Sequence, residues 1–130
     1  LTGLLDTHTL LWSIYSPSKL SRKAASLIQN PRNIFLVSAA SAWEIATKVR
    51  RGKMPEADRL EKNFLEAMQQ AGYTLRSVTV EDGLRAGRLP GNHRDPFDRI
   101  LAAQAIADDL PVLSSDENLD KLGVRRIWRV

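Results

Sequence analysis

Along the chain, short unbroken apolar runs alternate with longer stretches in which apolar residues recur at helical spacing. Residues 3 to 6, GLLD, form an apolar run ending in an acid, and HTLLWSI continues directly with helical periodicity. That combination predicts a buried strand feeding straight into a helix. A second helix is expected in SPSKLSRKAASLIQN, where Leu20, Ala24, Leu27 and Ile28 share a face, serines mark the start and NPRN the stop. IFLVS, residues 34 to 38, is apolar and partly β-branched, the best strand in the chain. After it, Ala42, Ile45, Ala46 and Val49 make a helical stripe ended by Gly52, and Leu60, Phe64, Leu65 and Met68 make another ended by Gly72. The remainder reads as a short strand YTLRSV and a helix TVEDGLRAGRL, capped by Thr79 and weakened by Gly83. A loop PGNHRDP, a helix from Asp95 to Asp108, a strand PVLSS and, after DENLDKLG, a last strand VRRIWRV complete the chain.

Short apolar strands alternating with helices predict a three-layer α/β/α fold, with a short, mostly parallel central sheet covered on both faces. A length of 130 residues fits one domain, 1–130, and no repeat, linker or low-complexity segment divides it. In such folds ligands bind beyond the carboxyl ends of the strands, where the strand order reverses. The polar residues at those ends therefore become the candidates for chemistry.

Asp6 ends the first strand, and Asp116 follows the fourth directly after LSS. Glu44 lies about six residues past the second strand, on its helix, and Asp98 lies in the first turn of the helix that enters the fourth strand. If that helix runs antiparallel to its strand, all four acids can point into one cleft. Two unit charges about 4 Å apart at an effective dielectric constant of about 20 repel by roughly 4 kcal/mol. Such carboxylates either hold protons or bind a divalent cation. An all-oxygen donor set suits Mg²⁺ or Mn²⁺, and one or two such ions could orient a water for in-line attack on a phosphodiester.

Each acid also has a purely structural reading. Asp6 can cap the helix after it, and Asp116 can cap ENLDKL. Glu44 fits a capping box with Ser41 or an exposed i,i+4 pair with Lys48. Asp95 before Pro96 reads as N-cap followed by proline at the first helical position, which leaves Asp98 able to complete a box. Around the acids, Thr7 and Ser115 offer hydroxyls, and His93 lies near the expected cleft. Arg94 and Arg99 flank it and are candidate phosphate contacts, with Lys48, Arg50, Arg51 and Lys53 as a more distant basic set. His8 is no better placed than His93 as a general base, and Trp12 and Trp43 sit in helical patterns expected for core or interface.

Composition narrows the classes. The chain has no cysteine, which excludes a disulfide framework, a thiolate zinc site and a thiol nucleophile, and fits a reducing cytoplasm. No apolar run approaches a membrane span, and the opening LTGLLDTHTLLW lacks the basic start and cleavage site of a secretion signal. Lysine and arginine total 19 against 15 acids, a net charge of +4 compatible with a nucleic-acid partner.

With these residues in place, the chain resembles the PIN-domain ribonucleases, and within them the VapC-type toxins of prokaryotic toxin–antitoxin pairs. LLDTHTLLW is similar to the family's first-strand motif and places its first acid at Asp6; SAASAWEIATKVRRGKM places the second at Glu44, with Lys48 one turn on. HRDPFDRILAAQA resembles the third motif, with Asp98 as the metal-binding acid and Asp95 flanking it; PVLSSDENL resembles the fourth, with Asp116 as its acid and Ser115 where threonine is more usual. The resemblance implies a Mg²⁺- or Mn²⁺-dependent endoribonuclease acting on RNA in the cytoplasm, a homodimer and a cognate antitoxin whose tail occupies the cleft. Among alternatives, a haloacid-dehalogenase-like phosphatase would show Asp-x-Asp where this chain has DTH, and a receiver-like domain a lysine where it has LSSD. A non-catalytic nucleic-acid or protein-interaction module would have lost one of the acids.

Overall fold

The computed structural model describes residues 1–129. Five strands, β1 (Thr2–Leu5), β2 (Ile34–Ser38), β3 (Thr74–Arg76), β4 (Val112–Leu113) and β5 (Arg126–Ile127), form one sheet in the order β3-β2-β1-β4-β5. Every neighbouring pair is parallel. Chain order runs outward from β1 through β2 to β3, then crosses back to β4 on the other side of β1. The sheet's switch point is therefore the β1–β4 boundary.

Alternation along the strands builds the two apolar layers. Leu5, Phe35, Val37 and Leu113 point into one, where Leu10 of α1 (Thr7–Tyr15), Ala24 of α2 (Arg22–Gln29) and Ile45 of α3 (Ala39–Arg50) pack. That layer is completed by Leu60 of α4 (Asp58–Lys62) and Met68 of α5 (Phe64–Ala71). Leu4 and Val112 point the other way, onto Leu101, Ala102 and Ala105 of α7 (Pro96–Ala107), which lies beside α6 (Val80–Arg88). The expected three layers are present. Gly3 permits the close packing of β1, because a Cβ there would come within 3.2 Å of the Pro111 carbonyl oxygen.

Several expected elements are shorter or divided. The second helix begins only at Arg22, because Pro17–Lys19 form a separate 3₁₀ turn and the Ser21 hydroxyl caps α2 by accepting from the Ala24 N–H. The single helix expected before Gly72 breaks at Asn63 into α4 and α5. Gly72 does end α5, with φ +79° in the left-handed region that glycine adopts without a Cβ penalty. PVLSS contributes two residues to the sheet, and VRRIWRV contributes Arg126 and Ile127, its last residue Val130 lying outside the described residues.

Candidate active site

Two strands pass directly into helices, and this fixes where their polar ends point. Asp6 follows β1 and is buried; its Oδ1 accepts from the Thr9 N–H at 2.8 Å, capping α1. Register pairs Leu5 with Leu113, so the next residues, Asp6 and Ser114, stand side by side across the switch point. The buried Ser114 hydroxyl donates to Asp6 Oδ2 and accepts from the Asp116 N–H at 2.9 Å. Asp116 is itself an N-cap, accepting from the Asn118 N–H at 3.0 Å at the start of a 3₁₀ turn over Glu117–Leu122. Burial pushes the Asp6 carboxyl above the ordinary aspartate range, against the lowering effect of its Ser114 and Thr9 hydrogen bonds.

Glu44 is the second buried acid. The Thr7 hydroxyl donates to its Oε1 at 2.6 Å and lies 3.0 Å from the Ser41 hydroxyl, while Lys48 Nζ donates to Oε2 at 2.5 Å. The i,i+4 pair of Glu44 with Lys48 is present but buried at Glu44 rather than exposed as expected, and the capping box with Ser41 is not formed, because Ser38 caps α3. Asp98 occupies the first turn of α7, with His93 Nε2 2.9 Å from its Oδ2. Burial raises the Asp98 carboxyl to about 6, and the negative charges of Asp95 and Glu44 push in the same direction while His93 opposes them. Trp43 and Phe97, the residues preceding Glu44 and Asp98, meet edge to face with ring centroids 4.5 Å apart, locking α3 against α7. Trp43 is 54 % exposed, so of the expected core or interface placements it does not take the core one; its ring lies at the rim between two helices.

Other expected positions divide by role. Asp95 caps α7 as read, its Oδ1 accepting from the N–H groups of Phe97 and Asp98. Arg99 is turned inward: its guanidinium donates to the carbonyls of Ala86, Leu89 and His93, so it braces the loop before α7 and is not presented to a phosphate. Arg94, Ser115 and His8 are exposed. The hydroxyl that holds Asp6 is that of Ser114, a residue the sequence did not single out. Replacing Ser114 by alanine is expected to leave Asp6 short of a donor and to destabilise the fold by about 1–3 kcal/mol, measured by urea unfolding at neutral pH.

Among the described residues, no group of three or more acids or histidines is arranged as a ready metal-ligand cluster. Glu44 is held by Lys48, Asp98 by His93 and Asp6 by Ser114. The donor chemistry fits a hard divalent cation, since all four acids offer oxygen and burial penalises the charge of Asp6 and Asp98. A preformed cage is absent; the carboxylates are instead tied to protein donors.

A PIN domain family model matches residues 3–124. The chain belongs to the PIN-domain family. A 53-residue stretch is 40% identical to Ribonuclease VapC16 of Mycobacterium tuberculosis, spanning 41% of this chain and only 38% of that relative. VapBC2 from Rickettsia felis, solved bound to a DNA fragment from the promoter, superposes with TM-score 0.71 at 15% identity over 99% of this chain and 100% of that one. FitAB bound to the IR36 DNA fragment superposes with TM-score 0.65 at 12% identity over 100% of this chain and 97% of that one. At those identities the two structures bear on the fold, and this PIN domain shares it.

Proposed function

We propose that this PIN domain is a divalent-metal-dependent endoribonuclease and the toxin of a toxin–antitoxin pair, with Asp6, Glu44, Asp98 and Asp116 holding Mg²⁺ or Mn²⁺. The observation that carries the reading is a chain of neighbours: Thr7, next to Asp6, donates to Glu44, and Glu44 and Asp95 add to the burial that raises the Asp98 carboxyl to about 6. A bound divalent cation would lower the pKa of an attacking water and neutralise charge on the leaving oxygen of a phosphodiester. The chain's own groups do the positioning. Ser114 and the Thr9 N–H orient Asp6, Thr7 orients Glu44, and His93 orients Asp98. Lys48 neutralises Glu44 through a 2.5 Å ion pair; with a cation held by Glu44, its ammonium would be available to a phosphate.

Cleavage of total RNA by the purified chain is expected to require Mg²⁺ or Mn²⁺, to stop in EDTA and to be lost when Asp98 and Asp116 are both changed to asparagine. Cutting that persists in EDTA, or at wild-type rate in the double variant, overturns the reading. The missing preformed cluster favours a second reading, a non-catalytic interaction module. That module would bind RNA or protein equally well with and without metal and cut nothing.

The toxin role is supported by the partial likeness to Ribonuclease VapC16 and by the fold shared with VapBC2 and FitAB, both solved bound to DNA. It carries with it a cognate antitoxin, a homodimer and action in the cytoplasm. No helix among the described residues is long and apolar enough to cross a membrane. A short neighbouring reading frame whose product copurifies with the chain and blocks RNA cleavage is the test of the pairing.

A further inference from the structure

We propose that a basic groove running from the start of α2 to the Asp116 edge holds the sugar-phosphate backbone of an RNA strand beside the point of cleavage. The proposal rests on the endoribonuclease reading. Lys19, Arg22, Lys23 and Arg129 line a groove of about 470 Å³ that has no acidic residue in its walls. None of these four cations has an ion-pair partner among the described residues. A second groove of about 350 Å³ continues it, sharing Trp128 and Arg129 and reaching Arg126, Glu117 and Ser115, the neighbour of Asp116. Together they make one course from α2 to the acid edge.

The floor of this course is rigid. Trp128 is buried against Trp12, with ring centroids 5.8 Å apart, and its carbonyl accepts from the Ser21 hydroxyl at the start of α2. The cations therefore project from ordered backbone on both walls. Arg126 is committed to Asp120 and to the Ser114 carbonyl, which leaves the four at the far end as the free positive charges. Carboxylates at the acid edge repel a phosphodiester, so a substrate held there needs cations along the flanking nucleotides. An acidic peptide following the same course would meet Glu117 and Asp116 with the same repulsion, so charge alone does not choose between the two and the acid edge's proposed chemistry does. A polynucleotide carries one charge per nucleotide into a site whose proposed chemistry acts on that charge.

Anisotropy of a labelled single-stranded RNA, read in EDTA from about 50 to about 200 mM salt, separates binding from cleavage. The variant Arg22→Gln/Lys23→Gln/Arg129→Gln is expected to flatten the slope of log K against log salt by about 2, at about 0.7 per lost phosphate contact. Affinity at low salt is expected to fall about tenfold or more. The variant Arg32→Gln/Arg59→Gln/Lys62→Gln, with the same change in net charge, is expected to keep the wild-type slope. An unchanged slope in the first variant, or equal flattening in both, overturns the groove. So does a first variant that binds RNA normally and loses binding to polyglutamate, which would assign the groove to an acidic protein. A chain that binds RNA through the groove yet never cuts it in Mg²⁺ overturns the nuclease reading and retains the groove as an RNA site. A first variant that binds and cuts as the wild type does the reverse.

Discussion

Asp98→Asn is expected to lower RNA cleavage by on the order of 10³-fold and, in the same molecule, to raise the melting temperature. The loss follows from removing one of the carboxylates proposed to hold a divalent cation: a thousandfold in rate corresponds to about 4 kcal/mol of transition-state stabilisation, about half of the unscreened attraction of one carboxylate for two positive charges at about 4 Å and an effective dielectric constant of about 20. The gain follows from the raised carboxyl. Its folded value of about 6 lies above its ordinary 3.8. Between those values the folded chain holds a proton that the unfolded chain has released. The associated stability is present below the ordinary value and is lost as pH rises through about 6, leaving Asp98 a burden of roughly 2–3 kcal/mol at neutral pH. Asparagine keeps the shape and the partner His93 without the charge. Its thermal advantage should therefore be several degrees near pH 7 and vanish near pH 4. Added Mg²⁺ should stabilise the wild type, by about 2.7 kcal/mol at a hundredfold excess over its Kd, and stabilise Asp98→Asn much less. Melting curves at the two pH values, with and without Mg²⁺, check all of this. Cleavage at the wild-type rate by Asp98→Asn excludes the acid from the chemistry.

Where the fold was legible, strong local pattern and tertiary demand agreed. GLLD and IFLVS are apolar enough to be central parallel strands, and each is followed at once by a helix start, so Asp6 and Ser38 could be placed at carboxyl ends without coordinates. The capping of α7 by Asp95 before Pro96 and of α6 by Thr79 was equally local. The break at Asn63 was not, because helical periodicity runs through it and only packing shows the interruption. Capping uses only part of Asp6: one oxygen accepts from the Thr9 N–H of α1 and the other from the Ser114 hydroxyl. Ser114 went unnoticed, since its place beside Asp6 depends on the β1–β4 register, a long-range fact. The same holds for Trp43, whose helical spacing matched a core position although the ring lies at the rim against Phe97.

Arg76→Ala is expected to cost about 3–5 kcal/mol of stability, roughly 10 °C in melting temperature for a chain of this size. Arg76 ends β3 and donates to both oxygens of Asp82 on α6, at 2.9 and 3.0 Å, and to Asp108 at the end of α7 at 2.9 Å. Asp82 is buried, 3 % exposed, and also accepts from the Thr79 N–H and the Gln104 amide. Burial works against its charge, but the Thr79 N–H, the Arg76 guanidinium and the Gln104 amide outweigh it and hold the carboxyl at about 2. This stability is present above the ordinary aspartate value and is lost as pH falls through about 2. Without Arg76 the carboxylate stays buried with neutral donors alone, which is worse than never having had the pair. The deficit of the variant should accordingly shrink as pH falls from about 4 towards 2, where Asp82 protonates in both chains. Adding Asp82→Asn to Arg76→Ala should recover part of the loss, giving a coupling energy of about 1–3 kcal/mol in the double-mutant cycle. Lys62→Ala supplies the contrast, because Lys62 and Asp58 form an exposed pair with side chains 66 % and 52 % accessible. Its removal is expected to change stability by less than about 1 kcal/mol. Urea unfolding of the wild type, Arg76→Ala, Asp82→Asn, the double variant and Lys62→Ala at neutral pH and near pH 3 decides the matter: additive Arg76 and Asp82 effects would mean that Asp82 is ionised without help from the guanidinium. Because the network clamps α6 and α7 to the sheet far from Asp98 in sequence, cleavage per folded molecule should stay near wild type in Arg76→Ala even as the fold weakens.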